Sequence, residues 1–213
     1  MTILKRDHFG VVRLERRDHG EAILRDTRAA RWWTAGLARR LARREARALT
    51  ALSGVAGVPE LLGFDGRLLE RGYLEGRPMQ VARPLDPAYF RSAFALLRRL
   101  HRRGVAHNDL AKEPNWLVTP QGDAALVDFQ LASVRPGRGR RFRVMAREDL
   151  RHLLKHKRSY APQALTARER RILATPSLPS RLWRATGKRL YTFVTRRLLG
   201  WADREGAGDR QHR

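Results

Sequence analysis

Residues 2–26 carry short apolar runs at the two-residue period of half-buried strands. Thr2-Ile3-Leu4-Lys5, Val11-Val12-Arg13-Leu14-Glu15 and Glu21-Ala22-Ile23-Leu24-Arg25 are separated by the turn-like Asp7-His8-Phe9-Gly10 and Arg17-Asp18-His19-Gly20. A three-stranded antiparallel meander is predicted. The period then lengthens. Residues 29–53 are rich in alanine, leucine and arginine, all good helix formers. On a helical wheel, Leu41, Glu45, Ala48, Leu49 and Leu52 share an arc of about 100°, with Arg39, Arg40, Arg43 and Arg47 on the other side. Gly54 to Gly57 end this helix. Pro59 to Phe64 and Arg67 to Glu70 read as two further strands around an Asp65-Gly66 hairpin turn, and Gly72-Tyr73-Leu74-Glu75-Gly76 reads as a hinge.

Asp86-Pro87 opens the next helix, with an N-cap followed by proline at the first helical position. Phe90, Ala93, Phe94, Leu97 and Leu100 form its apolar face, and Gly104 closes it. Trp116-Leu117-Val118 and Ala124-Ala125-Leu126-Val127 predict a hairpin around Thr119-Pro120-Gln121-Gly122, with Asp128 terminating its second strand. Arg135 to Arg141 reads as a flexible basic loop. Glu148 to Tyr160 reads as a helix, as do residues 166–175 and 179–202, while 203–213 lack periodicity and read as a disordered tail. The pattern thus predicts an α+β chain in two lobes. Residues 1–72 supply a five-stranded antiparallel sheet with one helix, and residues 73–202 a mainly helical lobe holding a hairpin.

Composition supports a packed core: 42% of the 213 residues are hydrophobic, which excludes wholesale disorder. Cysteine is absent, so disulfides and thiolate metal sites are excluded and a reducing cytoplasm is the expected setting. No apolar run approaches the ~18 residues that span a bilayer, and Met1 to Asp7 lack the apolar core of a signal peptide. The charge changes the picture. Forty-five basic residues against 21 acidic ones leave +24, and only five of the basic residues are lysine. Such a field draws a protein toward phosphate-rich partners: nucleotides, nucleic acid, or an anionic membrane surface. Arginine-favouring codon usage would explain arginine over lysine, but not the excess over acids.

Two polar stretches carry candidate chemistry. His107-Asn108-Asp109-Leu110-Ala111-Lys112-Glu113-Pro114-Asn115 precedes the hairpin, and Val127-Asp128-Phe129 follows it. Two acids, an amide and a lysine beside short apolar strands suit a site that holds a divalent metal and phosphate while taking a proton from a hydroxyl. Glu45 is the only acid between Asp26 and Glu60, and it lies on the apolar side of its helix. A carboxylate there requires a cation, which Arg44 or Arg47 of the same helix could supply.

These motifs and their order resemble the protein-kinase-like superfamily, in particular its small lipopolysaccharide-kinase and RIO-like bacterial branches, over residues 2–160. The resemblance implies ATP and Mg²⁺ as cofactors. It makes Asp109 the base for the acceptor hydroxyl, Lys112 the neutraliser of charge on the transferred group, and Asn115 and Asp128 the metal ligands. Ala22-Ile23-Leu24-Arg25 is similar to the strand bearing the phosphate-binding cation. It implies an Arg25–Glu45 pair as a second answer to the cation that Glu45 requires. His8-Phe9-Gly10-Val11-Val12 is similar to the second half of a glycine-rich loop, with Gly10 beside the phosphates.

Four positions depart from the family pattern. Arg25 stands in place of lysine, Gly10 is the sole loop glycine, Asn115 lies one residue late, and Gln130 replaces a glycine. Asn108 replaces the arginine that commonly receives an activation-loop phosphate, which implies no such switch. Asp149, read as opening a helix, has two readings, as an anchor for the backbone of the loop that carries Asp109 or as an N-cap or first-turn helix acid.

The function implied is transfer of the ATP γ-phosphate to a hydroxyl on a glycolipid or protein. A lipopolysaccharide core sugar is the leading acceptor and a protein serine or threonine the alternative. A weakly active or inactive kinase-like protein binding nucleic acid or membrane is a further alternative, with nucleic acid the weaker partner because no RNA-binding signature is present. A small-molecule kinase would need a larger second lobe. The basic stretch 181–201, with Leu190, Val194, Leu198 and Trp201 at helical spacing, fits either packing on the second lobe or a peripheral position at the inner face of the cytoplasmic membrane.

Overall fold

The computed structural model describes residues 1–17 and 20–175. Residues 1–170 form one compact unit, and the described residues 171–175 fall outside it. The fold is α+β. In chain order its elements are β1 (Thr2–Asp7), β2 (Gly10–Arg17), β3 (Gly20–Asp26), α1 (Ala35–Ala51), β4 (Leu61–Phe64) and β5 (Leu68–Gly72). There follow β6 (Arg77–Pro78), α2 (Met79–Ala82), α3 (Pro87–Arg102), β7 (Val105–Ala106), β8 (Trp116–Val118) and β9 (Ala124–Leu126). β10 (Ser133–Val134), α4 (Arg140–Tyr160) and α5 (Ala167–Ala174) complete the order. The predicted helix at 179–202 and tail at 203–213 lie outside the described residues.

The five long strands form one antiparallel sheet in the order β1-β2-β3-β5-β4. β3 is central, and its Ala22, Ile23 and Leu24 are all buried. Opposite residues in an antiparallel pair project to the same face. The pairings Ile23↔Arg71 and Arg25↔Leu69 therefore put Arg25 and Arg71 on one side of the sheet. Gly10 has φ +128°, and a Cβ there would lie 2.2 Å from the Asp26 carbonyl oxygen. Only glycine lets β2 start this close to β3.

Helix α1 is shorter than the 29–53 that composition predicts. Asp26 caps a 3₁₀ turn at Thr27–Ala29 through the Arg28 N–H. The Arg31 N–H and the Thr34 hydroxyl then donate to the His8 carbonyl. These bonds tie residues 31–34 to the β1–β2 turn, so the helix begins only at Ala35. Helix α4 errs the other way. Composition marks 135–141 as loop and places the helix start at Glu148, yet α4 runs from Arg140. Arginine is a good helix former, and Phe142, buried edge-on against His101 at 6.0 Å, anchors this additional part.

The caps of α3 follow prediction. The Asp86 carboxylate accepts from the Ala88 N–H, Pro87 opens the helix, and Gly104 follows at φ +70°. The main core lies among α1, α3, α4 and the β8–β9 hairpin, with Leu49, Phe90, Leu97, Trp116, Phe129 and Leu153 buried in it. The short pairs β6–β8 and β7–β10 are absent from the sequence reading. Two-residue strands carry no periodicity to read.

Candidate active site

Residues 107–115 are held from several sides. Asp149, fully buried, accepts from the His107 N–H at 2.8 Å and the Asn108 N–H at 2.9 Å. It lies in the interior of α4, so the first-turn reading fails and the anchoring one holds. Further along, the Leu110 carbonyl accepts from Trp116 Nε1 at 3.3 Å and lies 2.8 Å from His156 Nε2. The Tyr160 hydroxyl donates to Glu113 at 2.7 Å. A loop fixed at 107, 108, 110 and 113 presents its remaining polar side chains in a set geometry.

Asp109 is the first of these. Lys112 Nζ lies 3.1 Å from its Oδ2, and Asn115 Nδ2 donates to the same Oδ2 at 3.1 Å and to the Asp109 carbonyl at 2.9 Å. Asn115 is buried, and its carbonyl accepts from the Val127 N–H at 3.0 Å. That bond joins the loop to the strand end that carries Asp128.

β9 ends at Leu126, before the predicted end, and Asp128 adopts φ 64°, a left-handed conformation uncommon for a residue with a side chain. Gln130 Nε2 donates to Asp128 Oδ1 at 2.5 Å, and Arg25 Nη2 lies 4.0 Å from the same oxygen. Burial works against ionisation of Asp128. The Arg25 charge, the Gln130 hydrogen bond and the Arg71 charge outweigh it, and hold the carboxyl below its ordinary value.

Arg25 also reaches Glu45. Its Nε lies 3.5 Å from Glu45 Oε2, so of the two cation sources open in the sequence the strand supplies the partner. Arg44 instead donates to the Leu131 and Ala132 carbonyls. A second cation escaped the sequence reading: Arg71 Nε lies 3.2 Å from Glu45 Oε1. Neither contact has the alignment of a hydrogen bond, so both act by charge. The signal for Arg71 was its two-residue parity with buried Leu69. Leu68 and Leu69 are both apolar, and parity is unreadable until register is known.

Asp109, Lys112 and Asn115 thus form one contact group, and Arg25, Glu45, Arg71, Asp128 and Gln130 another, joined through the Asn115–Val127 backbone bond. Gly10 stands apart, and the nearest atoms to a Cβ there belong to Asp26 and Thr27. His107, a further buried neighbour, stacks obliquely on Phe129 at 4.6 Å, with Nε2 3.0 Å from the Val127 carbonyl. Burial lowers its pKa and that of His156 below the ordinary 6.5. As pH falls below that value the unfolded chain takes up these protons first, so the folded state loses stability on acidification. Melting temperature should therefore fall between about pH 7.5 and 5.5, and His107→Phe should flatten the slope. An unchanged slope would show that His107 is not held neutral.

Asp109, Asp128 and the Asn115 amide carbonyl are all oxygen donors, the set that suits a hard divalent cation. Among the described residues no group of three or more His, Cys, Asp or Glu side chains gathers as a metal site. A cation here would rest on one or two side chains together with ligand oxygens, the habit of Mg²⁺. No family model matches this chain, and no similar protein was found among curated sequences.

Proposed function

We propose that this chain is an ATP-dependent phosphotransferase of protein-kinase-like architecture. It moves the γ-phosphoryl group to a hydroxyl, with a lipopolysaccharide core sugar as the leading acceptor. One observation carries the reading. Asp109 with Asn115, and Asp128 with the Arg25–Glu45 pair, come from separate strands and loops and are joined through the Asn115–Val127 backbone bond. A five-stranded antiparallel sheet and its helix support one half of that arrangement, and the α3–α4 core supports the other.

Asp128 and Asn115 would hold Mg²⁺, which when bound neutralises and orients the β- and γ-phosphates. Arg25, steered by Glu45 and lying beside Asp128, presents positive charge to the phosphates nearer the nucleoside. Both side-chain contacts to Asp109 fall on Oδ2. Oδ1 is therefore the oxygen left to accept the proton of the attacking hydroxyl. Lys112, held on Asp109, offsets charge gathering on the transferred group.

Magnesium-dependent ATP binding, read by thermal shift, tests the site. Wild-type protein should be stabilised by ATP only with magnesium, and Asp128→Ala should lose that stabilisation. No shift in the wild type, or an undiminished one in Asp128→Ala, would overturn the proposal. γ-Labelled ATP offered separately to lipopolysaccharide, membranes and soluble protein then reads the acceptor class.

A further inference from the structure

The exposed side of α1 borders an open groove of about 830 Å³, closed on its far side by residues 132–135. Arg39, Arg40, Arg43, Arg44 and Arg47 line the helix side and Arg135 faces them, while no carboxylate contributes to the lining. Arg44 is committed to backbone carbonyls across the groove. The nearest acid in sequence, Glu45, is fully buried and pairs with Arg25 and Arg71 instead. Like charges four residues apart on a helix repel, and Arg39, Arg43 and Arg47 repeat that spacing. An uncompensated row in a concave setting is relieved by a multivalent anion.

A second feature adjoins the first. Trp32 and Trp33, in the turn that precedes α1, and Leu37, in its first turn, are 89%, 53% and 50% exposed. Trp33 is fixed edge-on against His8 at 5.4 Å. Large apolar side chains beside arginines match the composition of membrane-interface surfaces, where tryptophan and leucine enter the headgroup boundary and arginines meet lipid phosphates. A nucleic-acid strand would engage the arginines and one indole, but would leave Leu37 without a partner.

We propose that the α1 groove and the Trp32–Leu37 knob form a docking surface for an anionic phospholipid membrane, with lipid headgroup phosphates in the groove. The surface needs neither nucleotide nor turnover, so it stands or falls separately from the phosphotransfer reading.

The test uses the full chain without nucleotide. It compares phosphatidylcholine vesicles with vesicles that also contain phosphatidylglycerol, alongside a single-stranded oligonucleotide. Wild-type protein should bind the anionic vesicles selectively. The combined Arg40→Gln, Arg43→Gln and Arg47→Gln variant should bind them on the order of 100-fold more weakly, from three lost headgroup charges. Its melting temperature should be no lower than wild type, because these side chains are exposed. Brominated acyl chains should quench wild-type tryptophan emission more than that of Trp32→Phe. Undiminished vesicle binding by the triple variant would place membrane contact elsewhere in the chain and overturn the proposal. So would equal quenching of wild type and Trp32→Phe, or loss of oligonucleotide binding alone.

Discussion

Asp109→Asn is expected to lower phosphoryl transfer by roughly 10²- to 10⁴-fold while leaving magnesium-dependent ATP binding intact. The amide has nearly the shape of the carboxylate and sits in a loop whose backbone Asp149 fixes independently. The loop should therefore keep its geometry and lose only the capacity to take a proton. Single-turnover transfer of labelled phosphate and thermal shift with ATP read the two properties separately. Turnover equal to wild type would remove Asp109 as the base. Loss of ATP binding along with transfer would instead assign it to nucleotide or metal binding.

Glu45→Ala is expected to produce the largest loss of stability. Glu45 is fully buried, and both its partners are largely shielded from solvent. Burial already pushes the Arg71 guanidinium below its usual pKa, opposed chiefly by the Glu45 charge. Removing the carboxylate leaves Arg71 without its contacting counter-ion and Arg25 with only Asp128 at 4.0 Å, and deleting one partner of a buried pair costs about 3–5 kcal/mol. For a domain of this size that lowers the melting temperature by roughly 6–20 °C. Calorimetry of Glu45→Ala against wild type measures it. A loss below about 1 kcal/mol, the range of exposed pairs, would mean that solvent reaches the arginines.

Strand existence, the Asp86 cap and the hairpin at 116–126 were legible because each follows from local pattern. Alternation at two residues, a capping carboxylate before proline, and a turn between apolar runs need no distant partner. The Arg25–Glu45 pair was legible only in part. The wheel showed that Glu45 needs a cation, and the family resemblance named which one. Arg71 was not legible, since its role depends on the β3–β5 register. The early starts of α4 and the late start of α1 were missed for related reasons. A single buried aromatic, Phe142, turns a basic run into helix, and three hydrogen bonds to the β1–β2 turn and to Arg31 hold Thr34 outside one. What sequence pattern transmits well is local preference. What it transmits poorly is a contact whose partner lies dozens of residues away.

The paired arginines around Glu45 also separate two properties that usually change together. With Arg71 in place, exchanging residue 25 still leaves the buried carboxylate one counter-ion. Position 25 can then be varied to test the proposed phosphate contact without emptying the interior of positive charge. A substitution series there would report ligand chemistry on a constant scaffold, whereas the same series at Glu45 would report folding. The sheet thus gives the buried carboxylate two counter-ions, either of which stays when the other is exchanged.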